Sequence, residues 1–287
     1  MAITAQMINS LRERTGVGMM KCKEALTTCD GDVEKAVDLL RKQGAAVAAK
    51  RADKEAKEGL VYIGSTESKV FSFELTAETD FVSKGEDFLK LVEEISGVIK
   101  ANDVSSIEDI LKQKVGALTI SERIAEVLAK LGEKIEIRKF ASLPVEENSA
   151  IAFYSHLGGK IGTIVKLVYE GSASKEAVQA VAKIIALHVT ASNPMALDET
   201  GLSPELVEKE KEIAKEQIVN EGKTKPDFVD RAVEGRVKKA LKQLCLMDQE
   251  FYTDAKKIVR DVLTEEQKKL GVSKLEVAQF VRFEKGK

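Results

Sequence analysis

The feature that most constrains the fold is an abrupt change of hydrophobic periodicity in the first third of the chain. Over Lys69–Leu75, apolar and polar side chains alternate as in a β-strand, and a helical pattern begins near Glu86. Between them lies the polar segment Thr76–Lys84, which includes the large aromatic residue Phe81. Junctions of this kind, between a strand and a helix, lie on the surface and often carry function. An aromatic side chain exposed at such a junction is unfavourable in water unless a pocket, in this chain or in another protein, covers it.

The sequence predicts two units that combine strands and helices. The first, residues 60–143, contains the junction described above and follows the order β-β-α-α-α-β. The second, residues 150–192, is predicted to have strands followed by a helix. The alternating tail, residues 278–283, predicts a last strand that pairs with the second unit. The expected fold is therefore α+β, with a core of two α+β subdomains that contain small antiparallel sheets.

Residues 1–50 predict three short helices. Thr4 is suited to cap the first helix and Asp32 the third, while residues 15–18 end the first helix. The second helix is predicted from about Met19 to Thr28, and the stretch after the third helix is predicted as a solvated helical linker. A core of three short helices is marginal and is more typical of a small recognition module than of an enzyme.

A further pair of helices is predicted after the second unit. Ser203 and Pro204 are suited to the N-cap and first position of one helix, Gly222–Pro226 ends it, and Phe228 is among the apolar residues assigned to the next helix. Each helix has one narrow apolar stripe, which predicts an antiparallel hairpin that projects by about 27 Å. We expect this arm to contact either another copy of the chain or a partner.

Composition excludes several classes of function. The 287 residues include 45 basic and 47 acidic residues, so a net charge of −2 provides no field to attract nucleic acid or an anionic membrane. Two histidines and three cysteines without paired spacing are too few for a zinc site. Residues 1–7 lack the basic and continuous apolar segments that are typical of a secretory signal, so we expect none, and the sequence contains no apolar stretch of about 20 residues. We expect a cytoplasmic protein without a metal or cofactor.

Some residues could be interpreted as catalytic, but a partner contact or a structural role suits them better. A general acid would need a pocket that raises the pKa of Glu78 or Asp80, and a solvated polar turn is the more common outcome for such a pair. His156 is predicted in a mobile, exposed glycine-containing loop without a nucleophile motif, and His188 is predicted as a hydrogen-bonded helix residue. We therefore expect a protein that is not an enzyme.

Met19 and Met20 allow two interpretations. Packing in the core of the three-helix module is the default for two adjacent methionines. The alternative is an exposed, adaptable contact surface for a partner, with Arg12 close by.

Five motifs, in order along nearly the whole chain, resemble the signatures of bacterial elongation factor Ts. They are Leu11–Leu26, Glu78–Val82, Ala186–Pro194, Val233–Arg236 and Phe280–Glu284. The resemblance implies a guanine-nucleotide exchange factor for elongation factor Tu in translation elongation. Such a factor binds the GDP complex of elongation factor Tu and promotes GDP release by disturbing the magnesium and phosphate site, after which GTP binds.

The resemblance also implies a domain organisation. It consists of a ubiquitin-associated-like (UBA-like) three-helix module with its linker at 1–54, a core N-subdomain at 55–143, a core C-subdomain at 144–202 that is completed by 264–287, and a coiled-coil arm at 203–263. Family members commonly continue past the last strand with a further helix that contacts the partner, and we expect that contact to be absent here.

The family's contact residues carry over onto matching positions of this sequence. The residues implied to enter the GTPase domain of elongation factor Tu between two helices are Thr79, Asp80, Phe81 and Val82. Those implied to dock on another helix of that domain are Arg12, Met19 and Met20. A loop histidine of the core matches His156. The implied partner is elongation factor Tu, through its GTPase domain and a further domain.

Two alternatives stay open from the sequence. The chain could be an adaptor that binds elongation factor Tu without any effect on nucleotide, and only exchange kinetics separate this function from exchange. The sequence also leaves open a homodimer or a 2:2 complex formed through the arm.

Overall fold

The computed structural model describes residues 3–51, 53–221 and 228–287, and the fold is α+β, as predicted. The chain divides into two compact units, each of which is described by itself. The first consists of Met1–Leu143, Leu157–Ile161 and Phe283–Lys287. The second consists of Pro144–His156 and Gly162–Arg282.

The first unit begins with three helices, namely α1 (Ala5–Thr15), α2 (Met19–Thr28) and α3 (Val33–Lys50). Both predicted N-caps are confirmed, because Thr4 Oγ1 accepts a hydrogen bond from the Met7 N–H at 3.2 Å and Asp32 Oδ1 accepts one from the Lys35 N–H at 3.1 Å. Gly16, with φ 66°, ends α1. The helices enclose a small apolar core that includes Leu11, Leu26 and Leu40. α3 continues to Lys50, into the stretch predicted as a helical linker.

A three-stranded sheet with the order β1-β2-β5 forms the centre of the first unit. In chain order, this part contains β1 (Glu58–Ser65), β2 (Lys69–Ala77), α4 (Asp80–Ser83), α5 (Glu86–Ala101), α6 (Ile107–Lys112), β3 (Lys114–Val115), β4 (Leu118–Thr119), α7 (Ile120–Leu131) and β5 (Ile135–Pro144). β1 and β2 pair antiparallel. Side chains of β2, α5 and α7 form one apolar core, which includes Phe71, Phe73, Phe88, Ile95 and Ile124. The predicted order of elements was incomplete, since it lacked α4 and the short β3–β4 ribbon.

The second unit contains another three-stranded sheet, with the order β10-β7-β6. Its elements are β6 (Ser149–His156), β7 (Ile161–Glu170), α8 (Lys175–Ser192), the helical pair described below, the hairpin of β8 (Glu250–Phe251) and β9 (Asp254–Ile258), α11 (Val259–Leu270) and β10 (Lys274–Glu284). The predicted pairing of the last strand with this unit is confirmed, because β10 lies beside β7.

The helical pair consists of α9 (Pro204–Glu221) and α10 (Val229–Leu244). Ser203 Oγ accepts a hydrogen bond from the Leu206 N–H at 3.2 Å, which confirms the predicted start. The predicted break at 222–226 lies outside the described residues. The assignment of Phe228 to the second helix was wrong: it precedes α10, falls outside the apolar stripe and is 55 % exposed. Within the described ranges, no helix is both long and apolar enough to cross a membrane.

Candidate partner-binding site

The polar junction that follows β2 contains a one-turn helix, α4, which the sequence did not predict. Thr79 caps it, since its hydroxyl accepts a hydrogen bond from the Val82 N–H at 3.5 Å. Phe81 is 87 % exposed, the highest exposure among the large apolar side chains of the described residues. Val82 packs against the apolar core of the first unit. α4 therefore presents an aromatic ring to solvent while the next residue anchors the turn.

Two carboxylates fix the chain at the start of α4. Glu133 accepts hydrogen bonds from the Thr79 N–H at 2.9 Å and from the Thr79 hydroxyl at 2.7 Å. Glu78 accepts one from the Lys134 N–H at 2.7 Å and pairs with Arg51, whose Nη1 lies 2.6 and 2.8 Å from the two carboxylate oxygens. Burial alone would raise the pKa of Glu78, but these hydrogen bonds and the guanidinium charge hold that pKa below its ordinary value.

Asp80 has a cation of its own. Lys84, one turn further on, donates to Asp80 at 2.7 Å, and this hydrogen bond together with the lysine charge lowers the pKa of the Asp80 carboxyl group. Glu78 and Asp80 therefore bind different cations, and both have lowered pKa values. Neither carboxyl group holds a proton near neutral pH, so the pair is not suited to general acid catalysis.

A cleft of about 550 Å³ lies beside α4 in the first unit. Its charged lining residues are Glu58, Asp80, Lys84, Lys160 and Lys285. Lys285 pairs with Glu58, and Lys84 pairs with Asp80. The cleft also has an apolar rim that includes Leu157, which is 69 % exposed at φ 50°. Leu157 was not among the residues predicted from the sequence, although an apolar residue directly before two glycines is a signal that could have identified it.

The methionines of the N-terminal module are exposed. Met19 is 51 % and Met20 67 % exposed at the first turn of α2, and Arg12 is exposed on α1. Packing in the core, the default interpretation of the methionines, is therefore wrong, since their neighbours Val17 and Cys22 are the residues buried in the small core. The contact-surface alternative agrees with their exposure.

His156 does not lie in a mobile, exposed loop, as the sequence predicted. It is the last residue of β6, is half-buried, and its Nδ1 lies 3.2 Å from the Tyr154 hydroxyl. Strand pairing fixes its backbone, and the glycines follow the strand rather than surround the histidine. Of the candidate residues, Thr79, Asp80, Phe81 and Val82 are consecutive and lie in α4 or at its cap, and Met19 and Met20 share the first turn of α2. His156 belongs to the second unit.

Comparison with known proteins decides the family. A family model described as Elongation factor TS matches residues 78–287, a range that begins directly before α4. Elongation factor Ts of Clostridium novyi (strain NT) is 42 % identical over 289 residues, which cover 99 % of this chain and 93 % of that protein. The chain belongs to the elongation factor Ts family.

Other elongation factor Ts proteins show a similar level of identity. Those of Clostridium perfringens and of a Nitratiruptor species are 40 % and 38 % identical. The alignments cover 99 % and 100 % of this chain, and 93 % and 94 % of the respective relatives. The resemblance to elongation factor Ts inferred from the five sequence motifs is thereby confirmed.

Proposed function

We propose that this chain is a guanine-nucleotide exchange factor for elongation factor Tu and that α4 is the part that acts on the nucleotide site. The observation that carries the proposal is the exposure of Phe81, 87 %, on a turn whose two ends are fixed by hydrogen bonds and by core packing. A large aromatic side chain held in water on a rigid support is typical of an interface anchor.

Phe81 acts by binding one state of the partner better than another. Its pocket in the GTPase domain opens in the nucleotide-poor state, so docking shifts the population of the partner towards that state. Asp80 brings a negative charge close to the magnesium ion of the partner, where displacement of the ion removes the main counter-charge of the phosphates. The chain makes and breaks no covalent bond in this mechanism.

The other parts of the chain supply binding free energy. The three-helix module, which we interpret as UBA-like, docks on another helix of the GTPase domain through Arg12, Met19 and Met20. His156 contributes a second, smaller contact from the core. We interpret α9 and α10 as a coiled-coil arm and retain the four-part division at residues 1–54, 55–143, 144–202 with 264–287, and 203–263. Pairing of two copies through this arm is compatible with the same exchange function.

Release of a fluorescent GDP analogue from elongation factor Tu tests the function directly. Stopped-flow traces, chased with excess unlabelled GDP, are recorded with substoichiometric wild-type chain, with Phe81→Ala and with Phe153→Ala. Phe153 on β6 is the matched control, since it is also an exposed phenylalanine outside the apolar cores. We expect the wild type and Phe153→Ala to accelerate release equally. Phe81→Ala should lose about thirtyfold in rate, equivalent to about 2 kcal/mol for an anchor residue.

Thermal unfolding separates loss of function from loss of fold. Because Phe81 is almost fully exposed, Phe81→Ala should unfold at the wild-type temperature. If the wild-type chain bound elongation factor Tu but did not accelerate GDP release, its function would be that of an adaptor and not that of an exchange factor. If Phe81→Ala accelerated GDP release as much as the wild type does, the chain would still be an exchange factor, but Phe81 on α4 would not be the cause of the exchange.

A further inference from the structure

Glu133 lies 54 positions from Thr79 in sequence, yet it makes two of the hydrogen bonds that fix the first residue of the 79–82 segment. It follows Gly132, which ends α7 at φ 77°, and it precedes the first residues of β5. The left-handed glycine turns the chain so that Glu133 and Lys134 lie beside Glu78 and Thr79.

The contacts across these two segments are reciprocal. The Glu133 carboxylate accepts the Thr79 N–H, and the Glu78 carboxylate accepts the Lys134 N–H. We call these two carboxylates and the two backbone N–H groups the carboxylate clamp. Charge-assisted hydrogen bonds to backbone N–H groups are short and about twice as strong as neutral ones, so the clamp fixes the backbone of both segments.

The clamp also orients the cap of α4. The Thr79 hydroxyl donates to Glu133 and accepts from the Val82 N–H, so its one proton and one of its lone pairs are used in the same chain of bonds. A hydroxyl that donates to a carboxylate is a better acceptor for the next donor. The position of Phe81, between Thr79 and Val82 in this turn, therefore depends on Glu133. Arg51, directly after α3, joins the same network through Glu78.

We propose that Glu133 is a positioning residue for exchange, which holds α4 in the orientation from which Phe81 enters the partner. The proposal rests on the proposed function of α4. Glu133 need not touch elongation factor Tu, and it acts through the geometry of Thr79. A helix of one turn is not stable by itself, so its rigidity must come from tertiary contacts such as these.

The test compares Glu133→Ala with Glu67→Ala, which removes an exposed glutamate from the turn between β1 and β2. In the stopped-flow assay, we expect Glu133→Ala to lower the saturating rate of GDP release about tenfold, as supporting residues typically do. The concentration that gives half-maximal acceleration should change little, since the other contact surfaces are intact. Glu67→Ala should match the wild type, and Glu133→Gln, which keeps one acceptor, should be intermediate and serves if the alanine variant does not fold.

A double variant separates positioning from general damage to the fold. If Glu133 acts only through Phe81, then Phe81→Ala and Phe81→Ala/Glu133→Ala should release GDP at the same rate. Additive losses, or a wild-type rate for Glu133→Ala, would overturn the proposal.

Amide hydrogen exchange in the free chain gives a readout that needs no partner. The N–H groups of Val82, Ser83 and Lys84 are hydrogen-bonded within the α4 turn, and we expect them to exchange faster in Glu133→Ala. Unchanged protection would overturn the positioning role. Faster exchange together with an inactive wild-type chain would contradict the proposed function and leave the positioning role supported.

Discussion

At the scale of single residues, His188 shows how a buried polar group is satisfied. The side chain is fully buried on α8, and its Nδ1 lies 3.3 Å from the backbone N–H of Tyr252. Because a backbone N–H can only donate, Nδ1 must accept, and the proton lies on Nε2, which donates to Gln249 Oε1 at 3.0 Å. Gln249 Nε2 in turn donates to the carbonyl groups of Ser192 and Gln243. A neutral His188 therefore connects the end of α8, the end of α10 and the β8–β9 hairpin.

This arrangement predicts a specific pH dependence of stability. Burial lowers the pKa of His188 below its ordinary value of 6.5, with the Gln249 bond acting in the opposite direction. Below about pH 6.5, His188 binds a proton in the unfolded chain but not in the folded chain. The free energy of unfolding therefore falls as the pH falls towards the folded pKa. One proton gives a slope of up to about 1.4 kcal/mol per pH unit.

Urea unfolding between pH 5 and 8 checks this prediction, and the chain provides its own control because it has only two histidines. We expect His156→Gln to keep the decline below about pH 6.5. His188→Gln should be less stable at pH 7 and should lose the part of the decline that comes from histidine. An equal slope in all three proteins would mean that the folded and unfolded chains bind a proton at His188 equally well, so that burial does not lower its pKa in the fold.

At the scale of elements, two glycines should respond oppositely to alanine. Gly59 in β1 has φ 140°, and a Cβ atom there would lie 2.0 Å from the Leu75 carbonyl oxygen. Gly97 is exposed in α5, and a Cβ atom there would have no neighbour within 4 Å. We expect Gly59→Ala to destabilise the fold by more than about 2 kcal/mol. Gly97→Ala should stabilise it by about 1 kcal/mol, and urea midpoints of both variants measure the difference.

The elements that the sequence predicted well are those defined by local signals. α2 has its predicted bounds, Met19–Thr28, and the caps of α1 and α3 are formed by the predicted residues. α4 was missed because four residues carry no periodicity, and because Thr79, its cap, also relies on Glu133, which is distant in sequence. A local pattern predicts a helix that its own residues stabilise, and it cannot reveal a turn that a remote carboxylate stabilises.

At the scale of the whole molecule, the small net charge conceals a separation of charge. α9 has six carboxylates and three lysines, whereas α10 has two carboxylates and five basic residues. Arg236 on α10 donates to both carboxylate oxygens of Glu221 on α9, at 2.7 and 3.2 Å. Attraction between the two helices therefore adds to their narrow apolar stripe, and salt should weaken this contribution.

The proposed function makes a thermodynamic prediction for the complex as a whole. If the chain weakens GDP binding to elongation factor Tu by some factor, GDP must weaken binding of the chain by the same factor. Calorimetric titrations of the chain into nucleotide-free and into GDP-bound elongation factor Tu measure the ratio of the two affinities for the chain. Titrations of GDP into elongation factor Tu without and with the chain measure the ratio of the two affinities for GDP. We expect equal ratios well above one in the wild type. A ratio of one would show that the chain binds without affecting nucleotide.

The exposure of Phe81 also has a spectroscopic consequence, because the sequence contains no tryptophan. Tryptophan at position 81 would be the sole indole of the chain, held in water on a turn that the fold already fixes. Its emission would report the polarity of its surroundings. In a complex, the spectrum obtained with the wild-type chain would be subtracted, because that chain contributes no indole emission. The residue proposed to open the nucleotide site could thus report optically, and without an attached dye, the moment at which it leaves water.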